Sequence, residues 1–288
     1  MTEQPLVTVY TVTRNRADLL PRCMNSILNQ TYKNIEYIIV DGASTDNTEE
    51  VVKSFNDKRI KYIKLPENQK VAVCTRIAFE NSSGKYITEL DDDDEYHLDK
   101  IEKQVSLFES LPEDYGMVYC WMTYYDSAAN NSVIKLHKAE LRGFVPTKVL
   151  DNYNLSGTPT FLIKRSVIEK IGYYREAKEI GTESDWEFAA RVCHHYKVDY
   201  VPESLINIYV NHSHTRMSNV AYYKDYYDAR VKMHKYFLTE FAKTFKEHTK
   251  LKAYHMLRMS VFSLKAHHYL DFVNYGIQYI WYKLFGTN

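Results

Sequence analysis

Val7–Thr13 is a run of β-branched and apolar residues bounded by polar ones, which predicts a strand. Leu19/Leu20, Cys23/Met24 and Ile27/Leu28 then recur at helical spacing, with Asp18 where a helix start favours a carboxylate. Ile35–Val40 predicts a second strand, closed by the turn Asp41-Gly42-Ala43-Ser44, and Thr45-Asp46-Asn47 is expected to open a helix through about Phe55. Ile60–Leu65 predicts a third strand, Val71–Asn81 a helix stopped by Ser82-Ser83-Gly84, and Tyr86–Leu90 a fourth strand. This alternation predicts an α/β architecture with a mostly parallel, doubly wound central sheet and flanking helices. Ligands of such sheets bind beyond the carboxyl ends of the strands. Thr11–Arg14, Asp41 and residues 91–94 all fall at such ends, so one cleft is expected if the strand order brings them together.

The pattern then loosens. Met117–Tyr125 and Thr160–Lys164 predict strands, Ser166–Ile171 and Glu183–His194 helices, and Tyr200–Val210 a strand interrupted early by Pro202. Residues 126–157 carry no clear period and are expected to include a long loop. From Ala221 onward the chain reads as helices. In the last of them Tyr269/Leu270, Phe272/Val273, Ile277, Ile280/Trp281 and Leu284 form an apolar stripe, with Asn274, Gln278 and Lys283 off it. The expected division is a sheet domain over residues 1–220 and a helical C-terminal extension over 221–288.

Composition narrows the partners. The 288 residues carry 37 Lys and Arg against 37 Asp and Glu, so nucleic acid is not an expected partner. The balance is uneven, however: residues 222–288 carry 11 basic and 5 acidic residues. That basic, aromatic segment is read as a lid or homodimer surface, or as a contact with a membrane surface. Cys23, Cys74, Cys120 and Cys193 are far apart and make no CxxC pair, which suggests reduced, buried thiols. With no basic-then-apolar leader and no run of about 18 apolar residues, the expectation is a cytoplasmic protein, in one reading peripheral at the inner face of the membrane.

The strongest chemical signal is Asp91-Asp92-Asp93-Asp94, directly after a strand. Packing that much like charge at a strand end is costly unless something cancels it. Hard divalent cations take carboxylate oxygens, and sites of few carboxylates usually share the metal with substrate phosphates. Tyr96 stands where a calcium loop beginning at Asp91 would need glycine, which disfavours an EF-hand.

Three segments in this order, Thr11-Val12-Thr13-Arg14-Asn15-Arg16, Val40-Asp41-Gly42-Ala43-Ser44-Thr45-Asp46-Asn47-Thr48 and Leu90-Asp91-Asp92-Asp93-Asp94, resemble the family 2 glycosyltransferases of GT-A fold. The resemblance continues through Ile163-Lys164-Arg165-Ser166, Ile171-Gly172-Tyr173-Tyr174 and Glu183-Ser184-Asp185-Trp186, about three-quarters of the chain. It implies an inverting transfer of a sugar from a nucleoside diphosphate donor, read as a UDP-sugar, to a hydroxyl on a saccharide or lipid-linked saccharide acceptor. By resemblance Asp41 contacts the base, with Thr11 and Arg14 lining the same pocket. Asp93 ligates Mn²⁺ or Mg²⁺ whether the family's acidic motif is taken as Asp91/Asp93 or Asp92/Asp93, and Asp91 or Asp92 holds ribose or sugar hydroxyls. Asp185 aligns with the base that deprotonates the acceptor, although Ser184 stands where the family often has glutamate, which keeps Glu183 open as the alternative. His212 and His214 lie on a segment where relatives close over the diphosphate; one of them, taken as His214, is a further metal ligand, and Arg216 a phosphate contact. The rival readings are a sugar-1-phosphate nucleotidyltransferase, though no glycine-rich loop follows the first strand, and a non-catalytic sugar-binding domain of the same fold.

Overall fold

The computed structural model describes residues 4–153, 155–181, 183–214 and 225–286. Its strands are β1 (Val7–Thr13), β2 (Ile35–Asp41), β3 (Ile60–Lys64), β4 (Tyr86–Glu89), β5 (Glu95–Tyr96), β6 (Tyr115–Asp126), β7 (Ser132–His137), β8 (Leu162–Lys164) and β9 (Lys197–Val210). Its α-helices are α1 (Leu20–Leu28), α2 (Thr48–Ser54), α3 (Val71–Glu80), α4 (Lys100–Ser110), α5 (Pro146–Asp151), α6 (Arg165–Ile171), α7 (Ala177–Ile180), α8 (Ser184–His195), α9 (Tyr226–Glu240), α10 (Ala242–Glu247), α11 (Thr249–Lys265) and α12 (Tyr269–Phe285). They divide into two compact units. The first comprises residues 1–144, 154–173 and 195–215, and the second 145–153, 174–194 and 216–288.

The first unit holds the whole sheet, in the order β3-β2-β1-β4-β8-β6-β9-β5, with β7 on β6. β3, β2, β1 and β4 run parallel, so their carboxyl ends share one rim. The register sets Thr13 beside Asp41 and Tyr10 beside Glu89, which places the ends of β2 and β4 on either side of β1. β1, β2 and β4 are largely buried because both of their faces are covered, whereas the edge strand β3 buries none of its residues and exposes Lys61 and Lys64. Val7, Val9, Tyr37, Ile39 and Leu90 pack into one core with Leu20, Cys23, Met24 and Ile27, the i, i+3, i+4, i+7 face of α1. Beyond β4 the sheet becomes mixed: β8 is antiparallel to β4 and β6, and β9 is parallel to β6. Pro202, which lacks an amide hydrogen, marks a shift in the β6–β9 ladder, from Cys120 beside Val201 to Trp121 beside Ser204.

Two sequence expectations are refined. Residues 126–157, expected to include a long loop, do so at 138–145 but also hold regular structure. The Asp126 carboxylate accepts the Ala128 amide at 3.0 Å, Asn130 and Asn131 take positive φ, and the chain returns as β7, antiparallel to β6, before forming α5. β7 is exposed along nearly all of its length, so it has no buried-face alternation to reveal it, and α5 is only six residues long. The second helix starts at Thr48 rather than Thr45, because Asp46 Oδ1 accepts both the amide (3.1 Å) and the hydroxyl (2.6 Å) of Thr48 and spends residues 45–47 on the turn.

The second unit is helical. Glu187 and Arg191 of α8 form a buried bidentate pair (Nε–Oε1 2.6 Å, Nη2–Oε2 2.9 Å), and Tyr236 of α9 donates to Glu187 at 3.0 Å. Val231 of α9 packs with Met256, Met259 and Phe262 of α11, and Tyr275, Tyr279 and Tyr282 of α12 close over them. Among the described residues no helix is long and apolar enough to cross a membrane.

Gly84, at the entry to β4, shows how tightly the parallel strands meet. Its amide donates to Thr8 Oγ1 (3.0 Å) and Glu36 Oε1 (2.8 Å), and an added Cβ would lie 2.5 Å from the Thr8 nitrogen. Gly84→Ala should therefore cost about 1–3 kcal/mol, read as a lower urea midpoint at unchanged slope. A midpoint equal to the parent's would show that the backbone shifts freely there.

Candidate functional site

The chain leaves β4 directly into Asp91–Asp94. Thr11, buried in β1, pins this exit: its hydroxyl donates to the Leu90 carbonyl at 2.8 Å and accepts from Tyr37 at 3.0 Å. Asp92, Asp93 and Asp94 are 4%, 3% and 0% exposed, so water cannot solvate their charge. Protein groups do so instead. Arg16 Nη1 reaches Asp92 Oδ1 at 2.6 Å and Asp93 Oδ2 at 3.1 Å. His212 Nε2 meets Asp93 Oδ2 at 2.9 Å, and the Tyr209 amide donates to Asp94 Oδ1 at 2.8 Å. Arg22 donates to the Asp93 carbonyl while its guanidinium lies 3.7 Å above the Tyr209 ring. Burial pushes the Asp92 carboxyl up, and Asp93 adds to this, against the pull of Arg16. Burial alone would lower the pKa of Arg16, but Asp92, Asp93 and Asp91 outweigh it and raise it.

One carboxylate oxygen from each of Asp91, Asp93 and Asp94 lies within 4.8 Å of the other two. Asp91 is partly open to solvent, while Asp93 and Asp94 are buried. An all-oxygen set with one open side fits a hard divalent cation that keeps positions for a second ligand.

Asp41 sits at the end of β2, fully buried, with both oxygens engaged: Oδ1 accepts the Ser44 amide at 2.8 Å and Oδ2 the Tyr62 hydroxyl. Burial and then the hydrogen bond to Asp41, with its charge after that, raise the Tyr62 phenol, so it stays a donor. The loops after β1 and β2 are stitched together, the Asn15 amide donating to Ser44 Oγ (2.9 Å) and the Thr45 amide to Asn15 Oδ1 (2.8 Å). Arg14 is exposed and lies against Gly42. The structure thus gathers Arg14, Asp41, Asp91, Asp92 and Asp93 on one rim. Thr11 stands behind that rim as a support and does not line it, since its hydroxyl is spent inside the protein.

Of the two histidines, His212 meets Asp93. Its Nδ1 accepts the His214 amide at 3.2 Å, which leaves the proton on Nε2, facing the carboxylate. His214 instead pairs with Asp18 at 3.0 Å. Arg216 lies outside the described residues. Arg16, Arg22, Tyr62 and Tyr209 were not read from the sequence as site residues. Arg16 ends the segment Thr11–Arg16, but nothing local says which arginine reaches an aspartate 76 or 77 residues on.

In the second unit Asp185 occupies the first turn of α8. Its Oδ1 accepts the Trp186 amide at 2.8 Å, and Tyr153 also hydrogen-bonds the carboxylate. Although the residue as a whole is only half-buried, burial dominates at the carboxyl and pushes it above the usual range. Trp186 is locked by its indole N–H on the Val149 carbonyl (2.6 Å) and by Phe237 edge-on at 5.2 Å. Glu183, at a positive φ of 53°, is paired with Arg230, whose guanidinium burial lowers to about 10.

The glycosyl transferase family 2 model matches residues 8–172, more than half of the chain. The chain belongs to glycosyl transferase family 2. It is a glycosyltransferase, and the GT-A fold expected from the motifs is the fold it has. An uncharacterized glycosyltransferase of Methanocaldococcus jannaschii is 29% identical over 238 residues, covering 81% of this chain and 80% of that protein. TuaG of Bacillus subtilis, named as a teichuronic acid biosynthesis glycosyltransferase, is 38% identical over 104 residues, 35% of this chain and 41% of TuaG. Among solved structures, residues 1–349 of Staphylococcus aureus TarS with UDP-GlcNAc superpose with a TM-score of 0.69 at 16% identity, over 96% of this chain and 81% of that one. The mannosyltransferase PcManGT of Pyrobaculum calidifontis, with GDP-Man and Mn²⁺, gives 0.59 at 19% identity, over 93% and 75%. At these identities the likeness shows the fold.

Arg16→Ala would leave the enclosed Asp92–Asp93 pair without its guanidinium. In metal-free buffer it should lose about 2–3 kcal/mol, as a lower denaturant midpoint. An unchanged midpoint would mean that His212 and Arg22 suffice.

Proposed function

We propose that this glycosyltransferase moves a sugar, with inversion, from a UDP-sugar to a hydroxyl of a saccharide or lipid-linked saccharide acceptor in surface polysaccharide or glycolipid synthesis. The observation that carries this reading is the clustering of Asp91, Asp93 and Asp94 oxygens on the strand-end rim that also bears Asp41. The name of TuaG supports a polysaccharide product, and the nucleotide sugars in TarS and PcManGT support a donor of that class. Asp41 suits the base: a carboxylate only accepts, its oxygens retain lone pairs beyond those used by Ser44 and Tyr62, and uracil presents an N–H. Arg14 is the arm for phosphate, and Asp91 or Asp92 for ribose or sugar hydroxyls. Four buried, unpaired cysteines fit a reducing, cytoplasmic setting.

Asp93, with Asp91 and Asp94, would hold Mn²⁺ or Mg²⁺, which would supply neutralisation of the charge on the departing diphosphate. Of the two histidines left open by the sequence, His212 is the better candidate to join them, because it already meets Asp93. Asp185 is the base. It takes the acceptor hydroxyl proton as the new bond forms at the anomeric carbon, while the bond to the diphosphate breaks and its electron pair leaves with that group. Glu183 is less suited, being neutralised by Arg230, whereas a carboxyl raised by burial holds a proton more readily once it has taken it.

Asp93→Ala should weaken Mn²⁺-dependent UDP binding at least tenfold in a thermal-shift titration against UDP, GDP, dTDP and CMP. Asp185→Asn should leave that binding within about threefold while lowering transfer by at least a thousandfold. Full turnover by Asp185→Asn would remove the base assignment, and a larger shift with GDP would replace the donor. Asp185→Asn also carries a stability signature. A carboxyl raised in the folded state favours folding below its unfolded pKa and loses that contribution as the pH rises through the folded value. The variant should thus melt above the parent at neutral pH, the gap closing in acid; a gap that widened in acid would contradict the raised carboxyl.

A further inference from the structure

The helix α12 buries none of its 17 residues, yet it is among the most apolar segments of the chain. One side is accounted for. Tyr275, Tyr279 and Tyr282 pack on the α9–α11 core, and Ser260 of α11 donates to the Phe272 carbonyl at 2.9 Å. The other side carries Leu270, Val273, Ile277, Ile280, Trp281 and Leu284, exposed at 89%, 52%, 62%, 54%, 53% and 66%. This spacing makes one continuous stripe along about 21 Å of helix. Isolated exposed leucines need no explanation, whereas a stripe of six large apolar side chains marks an interaction surface.

Charge selects the occupant. The hairpin of α11 and α12 holds Lys250, Lys252, Arg258, Lys265 and Lys283 against one acid, Asp271. Lys252 lies over the Tyr282 ring at 4.6 Å, which brings the start of α11 to the end of α12 and gathers Lys250, Lys252 and Lys283 at one end. A second copy of this chain would oppose two positive hairpins. An anionic lipid surface supplies the missing counter-charge and, just below it, an apolar layer for the stripe. Trp281 is suited to the boundary between the two. The helix is not long and apolar enough to cross a bilayer, so lying along the surface is the geometry open to it.

We propose that the outer face of α12 docks the protein on an anionic bilayer, with the helix axis in the membrane plane and the lysines of the hairpin among the headgroups. This stands independently of the donor, metal and base assigned above. The test is flotation of the full chain with phosphatidylcholine vesicles, with and without phosphatidylglycerol. The parent should float with the anionic vesicles and at least tenfold less with the neutral ones, and high salt should reduce binding. The triple substitution Leu270→Glu, Ile277→Glu and Leu284→Glu, confined to exposed positions, should lower binding at least tenfold at an unchanged melting temperature. Brominated acyl chains should quench a component of the parent's tryptophan emission that is absent from Trp281→Phe; this keeps the test valid if the triple variant misfolds. Failure of the parent to float, equal binding by the folded triple variant, or no quenching of Trp281 would overturn the proposal. A dimer that the triple substitution converts to monomer, without vesicle binding by either form, would assign the face to a second copy instead.

Discussion

Confinement of like charge governs this fold. Three consecutive aspartates are enclosed where β4 ends, and each ionised oxygen needs a partner that water cannot provide. Much of the surrounding structure answers that need. Arg16 comes from the loop after β1, Arg22 from α1, and His212 and the Tyr209 amide from the end of β9 and the residues just after it. Thr11 fixes the carbonyl from which the acidic turn departs. Segments far apart in sequence are therefore held to one rim by electrostatics as well as by the sheet.

On the proposed function this arrangement would suit catalysis by preparing charge in advance. A cleft whose carboxylates are already fixed by arginine, histidine and backbone amides would lose little order on taking up a cation and a diphosphate. Asp41 is treated similarly, with Tyr62 and the Ser44 amide holding its two oxygens, and on the proposed function its remaining lone pairs would meet the base. Asp185 has a different environment. It sits at a helix start beside a locked tryptophan, with its carboxyl raised by burial, and that is the direction a proton acceptor requires.

The parallel half of the sheet was legible in the sequence because its strands and helices bury regular faces. Leu20, Cys23, Met24 and Ile27 announce α1, and the β-branched run at residues 7–13 announces β1. The strand-end rule put Asp41 and the aspartate run on one edge of the sheet, and the pairing of β2 and β4 on either side of β1 supplies the strand order that the rule leaves open. β7 could not be read, because an edge strand exposed along nearly its whole length has no buried face. Partner identity was also hidden. Arg16, with no role read from the sequence, reaches the aspartates, and His212 rather than His214 reaches Asp93, a displacement of two residues that decides the geometry. Tyr62 carried no signal at all, since its role exists only because β3 pairs with β2. The last helix shows the opposite limit. Its apolar stripe was plain in the sequence, but only the structure shows that the stripe faces outward while the tyrosines face in.

The central claim is that the acidic turn after β4 is built to hold a divalent cation together with a nucleoside diphosphate. Electron paramagnetic resonance of Mn²⁺ titrated into the full chain, with and without UDP, tests it most directly. The account predicts one bound Mn²⁺ per chain, tightened at least tenfold by UDP and lost in Asp93→Ala. Mn²⁺ that stays free in the presence of UDP, or that binds Asp93→Ala as tightly as the parent, would contradict it.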